Sequence, residues 1–511
     1  MDKRAFAEYV IENVRELPPS AIIGKEIHLQ RRGIHHLGLC PFHNDTKLGS
    51  FVVTDKKGIF KCFTCDTAGD NIKFVSLYRG ISYLQSAFDI ALECNIITND
   101  EYEEYFGRRR YSEKQIQAIE KKYIEKDKEK FVSKKADDAI LDKVYRIFID
   151  NTTLYTDEDV ENQIEKEIER LEKNIANGDE IAKTKLQKFD KNDYRKHPNN
   201  RMLTINDYNY LKKERKLSDK EIEENAFFSM PKKFKYYTFR KELEEEFGED
   251  YEEIIKTIPG FFKEIKKDYF NFAKQQGIGF AIKNNRGQIV GIQIRRTVQS
   301  STGLRYVWFS SSFAEMDDEK YEYGTGSGSP VDVVIPDVIK YPTIGITEGK
   351  FKALKMAKEY NMIVLSVQGV SSWRGILKEL NGLKDNFEVT KKYGKPFNIK
   401  YITLAFDADM SGNMQVYTQL KNLSDELEKN KYKTYYLNWD ETLGKGIDDL
   451  IDNGNKNFIK KYRKLQFDNK YNEMIKFCME REGIKNPIDI DKDTLIKYYN
   501  YFFQESNYCV K

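Results

Sequence analysis

Two short pairs of potential metal ligands constrain this chain more than any other feature of its sequence. Two residues separate Cys40 from His43, and two residues separate Cys62 from Cys65. Each pair fits a tight turn that presents both side chains to one ion, and the segment 44–61 is long enough for a hairpin that brings the pairs together. Three thiolates and one imidazole make a closed tetrahedral set of ligands. The spacing therefore predicts one structural Zn²⁺ ion.

The other cysteines do not suggest a disulfide framework. The chain has six cysteines in 511 residues, and Cys94, Cys478 and Cys509 are scattered. Clustered thiols in a reducing compartment favour metal binding. The N-terminal segment 1–14 is typical of an amphipathic helix rather than a signal peptide, and no run approaches the roughly 20 apolar residues that cross a bilayer. We therefore expect a cytoplasmic protein.

The segment around the cysteines resembles a known family almost position by position. Residues 38–75 read GLCPFHNDTKLGSFVVTDKKGIFKCFTCDTAGDNIKFV. This text is similar to the zinc ribbon that opens DnaG-type bacterial and phage primases, including its Ser50-Phe51 strand and its Ala68-Gly69-Asp70 turn into a helix. The resemblance implies a ribbon that recognises template and helps to start a primer. Lys61 and Phe63 are candidates for phosphate and base-stacking contacts, and roles as bystander and ribbon core are equally good alternatives.

After residue 200 the sequence alternates between strand-like and helical segments. Helical stretches occur at Phe351–Tyr360 and Asn413–Asn430. Alternation at this pace predicts a mainly parallel sheet covered by helices. The strand candidates are Gly279–Ile282, Ile289–Ile294, Val331–Ile335, Thr343–Thr347, Ile363–Val367, Tyr401–Phe406 and Lys433–Leu437.

Carboxylates follow several of these predicted strands. Glu348 and a glycine end one strand, Asp407 and Asp409 follow another, and Asp448 and Asp449 lie in a loop that enters a helix. Sites in open α/β sheets form at the carboxyl ends of strands, so these acids can converge. Converging carboxylates repel one another, and Mg²⁺ or Mn²⁺ relieves this repulsion while leaving positions open for phosphates. A single acid at a strand end is more often simply solvated.

The order of Glu-Gly, Asp-x-Asp and a later acid looks like the toprim domain of primases, topoisomerases and some nucleases. Carried over, the resemblance implies that Glu348 is the catalytic glutamate and that Asp407 and Asp409 bind metal. Asp448 is then the further ligand, and Asp449 competes for that role.

The local text places the resemblance closer to the toprim-like primases of phages and plasmids than to bacterial DnaG. The segments EGKFKALKMA and Gly369–Arg374 carry this likeness. Two features depart from the DnaG pattern: Ala408 lies between the two aspartates, and Gly446-Ile-Asp-Asp replaces the third motif.

A cationic stretch precedes the acids. The segment Tyr269–Ala314 contains no Asp or Glu, whereas the whole chain has a net charge of only +3. Gly279–Arg296 and Arg305–Ser310 resemble the basic subdomain that precedes toprim in DnaG-type primases, and Tyr210–Ser218 resembles the segment that opens it. Candidate nucleic-acid or nucleotide ligands are Lys283, Arg286, Arg295, Arg296 and Arg305, with Lys350 and Lys352 for triphosphate oxygens. Short basic stretches and exposed helical lysines are more often plain surface.

Together these patterns predict an α/β multidomain protein. We expect a zinc-ribbon domain at 1–95, a charged helical linker at 96–200, a basic polymerase subdomain at 201–330, a toprim domain at 331–455 and a helical tail at 456–511. The resemblance implies a DNA primase that makes short RNA primers on single-stranded DNA with Zn²⁺ and with Mg²⁺ or Mn²⁺. A toprim nuclease and a non-catalytic single-stranded-DNA-binding protein are the alternatives. The partners expected are template, nucleoside triphosphates and a replicative helicase acting in trans, since no G-x-x-x-x-G-K-[ST] loop is present.

Overall fold

The computed structural model describes most of the chain and divides it into two compact units. One unit combines residues 1–133 with residues 334–511, and the other contains residues 134–333. In the described part of the chain, no helix is both long and apolar enough to cross a membrane. The description leaves out residues 1–2, 43–44, 46–47, 64, 66, 107–134, 153–155, 188, 190–193, 195–201, 232–233, 298–304, 316–318, 369–371, 408–413, 485–489 and 504–511.

The N-terminal part of the first unit is an antiparallel sheet with helices. The strands follow one another in chain order across the sheet, so each pairs with the next. They are Leu29–Arg32, His35–Gly38, Phe51–Thr54, Ile59–Cys62 and Ala68–Gly69. The helices are Lys3–Glu16, Pro19–Glu26, Asn71–Arg79, Tyr83–Glu93 and Asn99–Phe106.

Aromatic packing joins this sheet to its helices. The ring of Phe60 lies 5.4 Å from the rings of both Phe51 and Phe74. Asp70 begins the helix Asn71–Arg79, because its carboxylate accepts a hydrogen bond from the Lys73 amide at 2.7 Å. A side-chain acceptor at this position satisfies one of the open N–H groups of a helix start. The turn predicted at Ala68-Gly69-Asp70 is therefore confirmed.

The second unit contains two small antiparallel sheets. The four-stranded sheet runs in the order Tyr306–Trp308, Ile289–Arg296, Gly277–Lys283 and Phe228–Ser229. The three-stranded sheet runs in the order Tyr321–Gly324, Phe261–Glu264 and Phe270–Phe272. The helices are Asp138–Asp150, Asp157–Ala176, Glu180–Gln187, Ile205–Asn209, Asp219–Glu224, Tyr236–Phe247, Tyr251–Lys256 and Ser312–Glu315, and Tyr210–Glu214 forms a π-helical turn.

The helix Asp138–Asp150 differs from the solvated helix expected in a charged linker. Its Phe148 side chain is fully buried, and the ring lies 4.9 Å from Phe309 and 5.5 Å from Phe261. The surrounding run of Lys and Glu residues hid this face in the sequence, although its buried residues recur at helical spacing: Leu141, Val144, Tyr145, Phe148 and Ile149. This helix therefore belongs to the core of the second unit. The domain boundaries given above stay a prediction.

The C-terminal part of the first unit is a mainly parallel sheet, as predicted. Ile363–Val367, Thr343–Glu348, Tyr401–Ala405 and Lys433–Asn438 lie side by side and run parallel. The short strand Asp332–Val334 forms one edge of the described sheet. The helices are Lys350–Tyr360, Ile376–Lys384, Phe387–Tyr393, Met414–Lys429, Ile447–Asp452, Lys464–Glu482 and Lys492–Phe503.

The tail after residue 456 is helical, as expected, but it begins with a strand. Lys460–Arg463 pairs antiparallel with Lys433–Asn438 at the other edge of the sheet. The ring of Phe467 lies 4.7 Å from that of Tyr436, and both side chains are fully buried. The tail therefore completes the sheet and covers part of its face.

Candidate zinc and acidic sites

Three thiols converge in the N-terminal sheet. The sulfur atoms of Cys40, Cys62 and Cys65 all lie within 4.8 Å of one another, and all three residues are buried. Within the described residues, this is the one such group of three or more potential metal ligands. His43, the fourth predicted ligand, lies outside the described residues. Burial, together with the neighbouring thiols, raises the pKa of the Cys40 thiol.

The local fold explains why these thiols meet. Cys62 is the last residue of its strand, and its amide donates to the Thr67 carbonyl at 2.8 Å. That bond closes the turn that carries Cys65. In the segment that carries the first ligand, the Cys40 amide donates to the Asp45 carboxylate at 2.9 Å. A buried set of soft sulfur ligands with this spacing fits Zn²⁺ and does not fit Mg²⁺ or Ca²⁺.

Lys61 and Phe63 lie beside this cluster. Both side chains are partly exposed, and the Lys61 ammonium lies 5.5 Å from the centre of the Phe63 ring. An exposed lysine over an aromatic ring is a weak cation–π pair. Their role in nucleic-acid binding stays a prediction.

Three of the predicted carboxylates lie near one lysine at the carboxyl edge of the C-terminal sheet. Glu348 ends the strand Thr343–Glu348, Asp407 follows the neighbouring parallel strand, and Asp448 lies in the first turn of the helix Ile447–Asp452. The Lys352 ammonium forms an ion pair with the Asp407 carboxylate. We call Glu348, Asp407 and Asp448 the acid cluster.

Electrostatics tie all three carboxylates to this lysine. Burial by itself lowers the pKa of Lys352, but the negative charges of Asp407, Glu348 and Asp448 outweigh that effect and raise the pKa above its ordinary value. Lys352 is therefore a permanently charged counter-ion of the acid cluster at neutral pH. Asp409 lies outside the described residues.

Gly446 lets the acid cluster close. A Cβ atom at Gly446 would lie 2.5 Å from Asp448 Oδ1, 2.7 Å from Lys352 Cε and 3.4 Å from Asp407 Oδ1. The loop is held in place by Trp439, whose indole N–H donates to the Gly444 carbonyl at 2.8 Å. Sequence reasoning treated Gly446 only as part of a motif and missed this close approach. A glycine directly before paired acids was the available signal.

The two neighbouring aspartates face different directions. Asp448 Oδ1 lies on the side of Gly446 that also faces Lys352 and Asp407. Asp449 is exposed, and its carboxylate accepts from the Gly446 amide at 3.4 Å, at the start of the helix. An acid in this position caps the helix, which is a structural role. Of the two candidates for the further metal ligand, the geometry favours Asp448.

The Glu-Gly pair makes the sharp turn from strand to helix. Gly349 has φ 88°, in the region that side chains other than glycine rarely adopt. Its amide donates to the Val367 carbonyl of the adjacent strand at 2.9 Å. Glu348 therefore lies at the carboxyl end of its strand, and the helix Lys350–Tyr360 begins directly after the turn.

Lys350 and Lys352 are not ordinary exposed helical lysines. Lys350 is only 2% exposed, and the side chain of Lys352 is 20% exposed and paired with Asp407. Of the two predicted triphosphate ligands, Lys352 therefore pairs directly with the acid cluster.

The predicted basic residues of the second unit have varied surroundings. The Arg295 guanidinium stacks 3.8 Å from the centre of the Tyr210 ring, and the Arg215 side chain donates to the Tyr210 hydroxyl. Tyr210 begins the π-helical turn, a feature often found at functional sites. Sequence reasoning missed Tyr210 as the partner of Arg295 and Arg215 as a second partner of Tyr210, although both lie in the segment 210–218 that it singled out.

The remaining predicted cations divide into two groups. Lys283 donates to the Glu224 carbonyl, and Arg296 donates to the Gln275 side chain at 2.9 Å. Arg286 and Arg305 are exposed. Exposed or stacked guanidinium groups are those best placed to meet phosphate, so Arg286, Arg295 and Arg305 remain the stronger candidates.

Comparison with known proteins identifies the first of these two sites. Residues 7–105 match the family described as CHC2 zinc finger, the zinc ribbon of DnaG. The N-terminal region is a DnaG-type zinc ribbon. Residues 335–457, which contain the acid cluster, match a family described as a domain of unknown function, DUF3854.

The similar curated proteins are DNA primases. The chain is 33% identical over 111 residues to one from Clostridium acetobutylicum, covering 22% of this chain and 18% of that protein. It is 44% identical over 77 residues to one from Aquifex aeolicus, covering 15% of each. The chain thus matches less than a fifth of the length of these relatives.

Solved primase structures are also similar. The Aquifex aeolicus primase, with its zinc-binding and RNA polymerase domains, is 17% identical, with 98% of this chain and 93% of that chain covered at a TM-score of 0.34. A DnaG primase catalytic domain bound to single-stranded DNA is 13% identical, with coverage of 50% and 72% at a TM-score of 0.32.

Proposed function

We propose that this chain is a DNA primase that synthesises short RNA primers on single-stranded DNA by metal-dependent nucleotidyl transfer. One observation carries the proposal. A DnaG-type zinc ribbon shares a chain with Glu348 and Asp407, which follow neighbouring parallel strands at their carboxyl ends, where α/β enzymes place their sites, and with Asp448 in the first turn of a helix nearby. This arrangement supports the toprim site expected from the sequence.

In the proposed reaction, the 3′-oxygen of the primer attacks the α-phosphorus of a nucleoside triphosphate. A phosphodiester bond forms, the bond to the departing pyrophosphate breaks, and the hydroxyl proton leaves to a base. Glu348 is the proposed base, or else assists the metal, because it ends its strand at the cluster. Asp407, Asp409 and Asp448 are the proposed ligands of Mg²⁺ or Mn²⁺, with Asp449 a helix cap. Such a cation would neutralise charge that develops on the phosphate oxygens.

The other elements supply binding in this proposal. Zn²⁺ held by Cys40, His43, Cys62 and Cys65 would stabilise a ribbon that contacts the template. Arg286, Arg295 and Arg305 are the proposed phosphate contacts, and Lys352 is the proposed contact for the triphosphate. A replicative helicase acting in trans would complete the system. These roles place the protein in the cytoplasm of a bacterial cell or a phage-infected host.

The test is incorporation of labelled nucleoside triphosphates on a library of single-stranded templates with Mg²⁺ or Mn²⁺. The double variant Asp407→Asn/Asp409→Asn removes two proposed ligands. Asp452→Asn is the matched control, because this acid pairs with Lys355 and lies outside the acid cluster. Short products from the wild type and the control, and none from the double variant, would support the proposal.

Two results would overturn it. Cleavage of labelled DNA without nucleotides, lost in the double variant, would identify a nuclease. Metal-independent DNA binding without any incorporation, also after addition of a replicative helicase, would identify a binding protein.

A further inference from the structure

The Lys352 ammonium lies beside the acid cluster, in a position where a divalent cation could bind the same carboxylates. Its ammonium pairs with Asp407, and a Cβ atom at Gly446 would lie 2.7 Å from Lys352 Cε and 2.5 Å from Asp448 Oδ1, which places this lysine and Asp448 side by side. The surrounding acids come from three separate segments of the chain. Lys352 therefore lies between carboxylates that the chain brings together from a distance.

We propose that Lys352 is a tethered counter-ion that holds the acid cluster together before metal binds and that the metal displaces. This inference rests on the proposed metal site at Glu348, Asp407 and Asp448. It adds that the chain carries its own competitor for that metal.

Electrostatics favour this exchange. Three carboxylates in a partly buried site repel one another, because charges there are screened less than in water. One ammonium offsets part of that repulsion but provides one positive charge and hydrogen-bond donors only. A divalent cation provides two charges and binds carboxylate oxygens directly. Both cations compete for Asp407, since the lysine already occupies that carboxylate.

The neighbouring Lys355 offers a matched control. It lies on the same helix, also forms an ion pair with an aspartate, and has a similar side-chain exposure of 26% against 20% for Lys352. Its partner, Asp452, is at the other end of the helix Ile447–Asp452 from Asp448. Removing Lys355 thus removes a similar ion pair without touching the acid cluster.

The first measurement is the Mn²⁺ affinity of the zinc-loaded chain of residues 1–511, obtained from the electron paramagnetic resonance signal of free Mn²⁺. Lys352→Met is expected to bind Mn²⁺ about tenfold more tightly than the wild type, because a competing charge near the metal is gone. Lys352→Arg keeps the charge and should bind as weakly as the wild type or more so. Lys355→Met should leave the affinity unchanged.

The second measurement uses the wild type alone, so it does not depend on the folding of a variant. Reductive methylation followed by mass spectrometry reports how accessible each lysine is. Addition of Mg²⁺ should increase methylation of Lys352, since the metal releases its ammonium from Asp407, and should leave Lys355 unchanged.

The outcomes separate this inference from the proposed function. If Asp407→Asn binds Mn²⁺ as tightly as the wild type, the proposed metal site itself is wrong. If Mn²⁺ binding depends on Asp407 but Lys352→Met binds no more tightly, or Mg²⁺ leaves Lys352 methylation unchanged, the metal site stands and the counter-ion inference is wrong.

Discussion

The thiol cluster (Cys40, Cys62 and Cys65) and the acid cluster each bring chemically similar side chains close together, but the chain positions the two sets in opposite ways. The thiols come from two short turns within 26 residues, Cys40 to Cys65, and are buried with exposures of 3%, 0% and 1%. The acids come from strand and helix ends 100 residues apart, Glu348 to Asp448, and stay partly exposed around a lysine. One cluster is local and closed, and the other is long-range and open.

The difference shows which cluster depends on its metal for folding. Neutral thiols can be buried at little cost without a partner, but the two separate segments that carry Cys40 and Cys65 are linked at this site through the ion, so their order depends on it. The carboxylates lie on a sheet with its own core, and Lys352 already offsets part of their charge. Loss of metal should therefore unfold the first region and leave the second folded.

The largest expected effect is loss of a zinc ligand. Cys62→Ser should abolish zinc binding and unfold residues 29–69, because structural zinc contributes on the order of 10 kcal/mol to such small domains. Zinc content by mass spectrometry and hydrogen exchange of this segment measure the effect. A strong chelator should reproduce it in the wild type.

Cys94→Ser is the control for that change, since Cys94 is partly exposed and lies outside the cluster. It should keep its zinc and its protection from exchange. A Cys62→Ser protein that retains full protection would show that the ribbon folds without its ion, and the contrast between the two regions would disappear.

Loss of a carboxylate from the acid cluster should instead lower activity strongly and leave the fold intact. Asp407→Asn should lower nucleotide incorporation by about 10³-fold or more, since several kcal/mol of charge stabilisation are lost. Its melting temperature should stay within a few degrees of the wild type, because Lys352 keeps Glu348 and Asp448 as partners. Thermal unfolding and incorporation are measured side by side. A collapse of the fold would mean that the acid cluster is structural.

The sequence predicted the local features of both regions well. The three predicted cysteine ligands converge in the structure, every one of the seven predicted strands occurs, and Ile363–Val367 agrees at both ends. These features depend on short-range spacing and on runs of β-branched residues, which the chain displays directly. Asp409 and His43 fall outside the described residues, so their placement stays a prediction.

What the sequence could not give is the set of contacts between distant segments. The counter-ion role of Lys352 depends on Asp407, which is 55 residues away in the chain. The segment Lys460–Arg463, which is rich in basic residues, forms a strand because it pairs with Lys433–Asn438. Three basic residues and one tyrosine carry little apolar signal. Tertiary pairing overrides such weak local preference.

A smaller effect is expected from closing the space at Gly446. Gly446→Ala places a methyl group against Asp448 Oδ1 and Lys352 Cε, which must both move. Incorporation should fall by roughly 10- to 100-fold, because a displacement of about 1 Å in a catalytic group is costly. The metal requirement should shift upward in a titration with Mn²⁺. Gly24→Ala, at a site whose nearest neighbour is 3.8 Å away, is the control and should be active.

The smallest effect separates two adjacent acids. Asp449→Ala removes the helix cap at the Gly446 amide and should lower the free energy of unfolding by only ~0.5 kcal/mol, with little loss of incorporation. Asp448→Ala should instead abolish incorporation at nearly unchanged stability, because its carboxylate belongs to the cluster. Denaturant unfolding and incorporation on both variants distinguish the roles. If Asp449→Ala is the inactive one, the metal ligand is Asp449, and Asp448 serves only to balance Lys352.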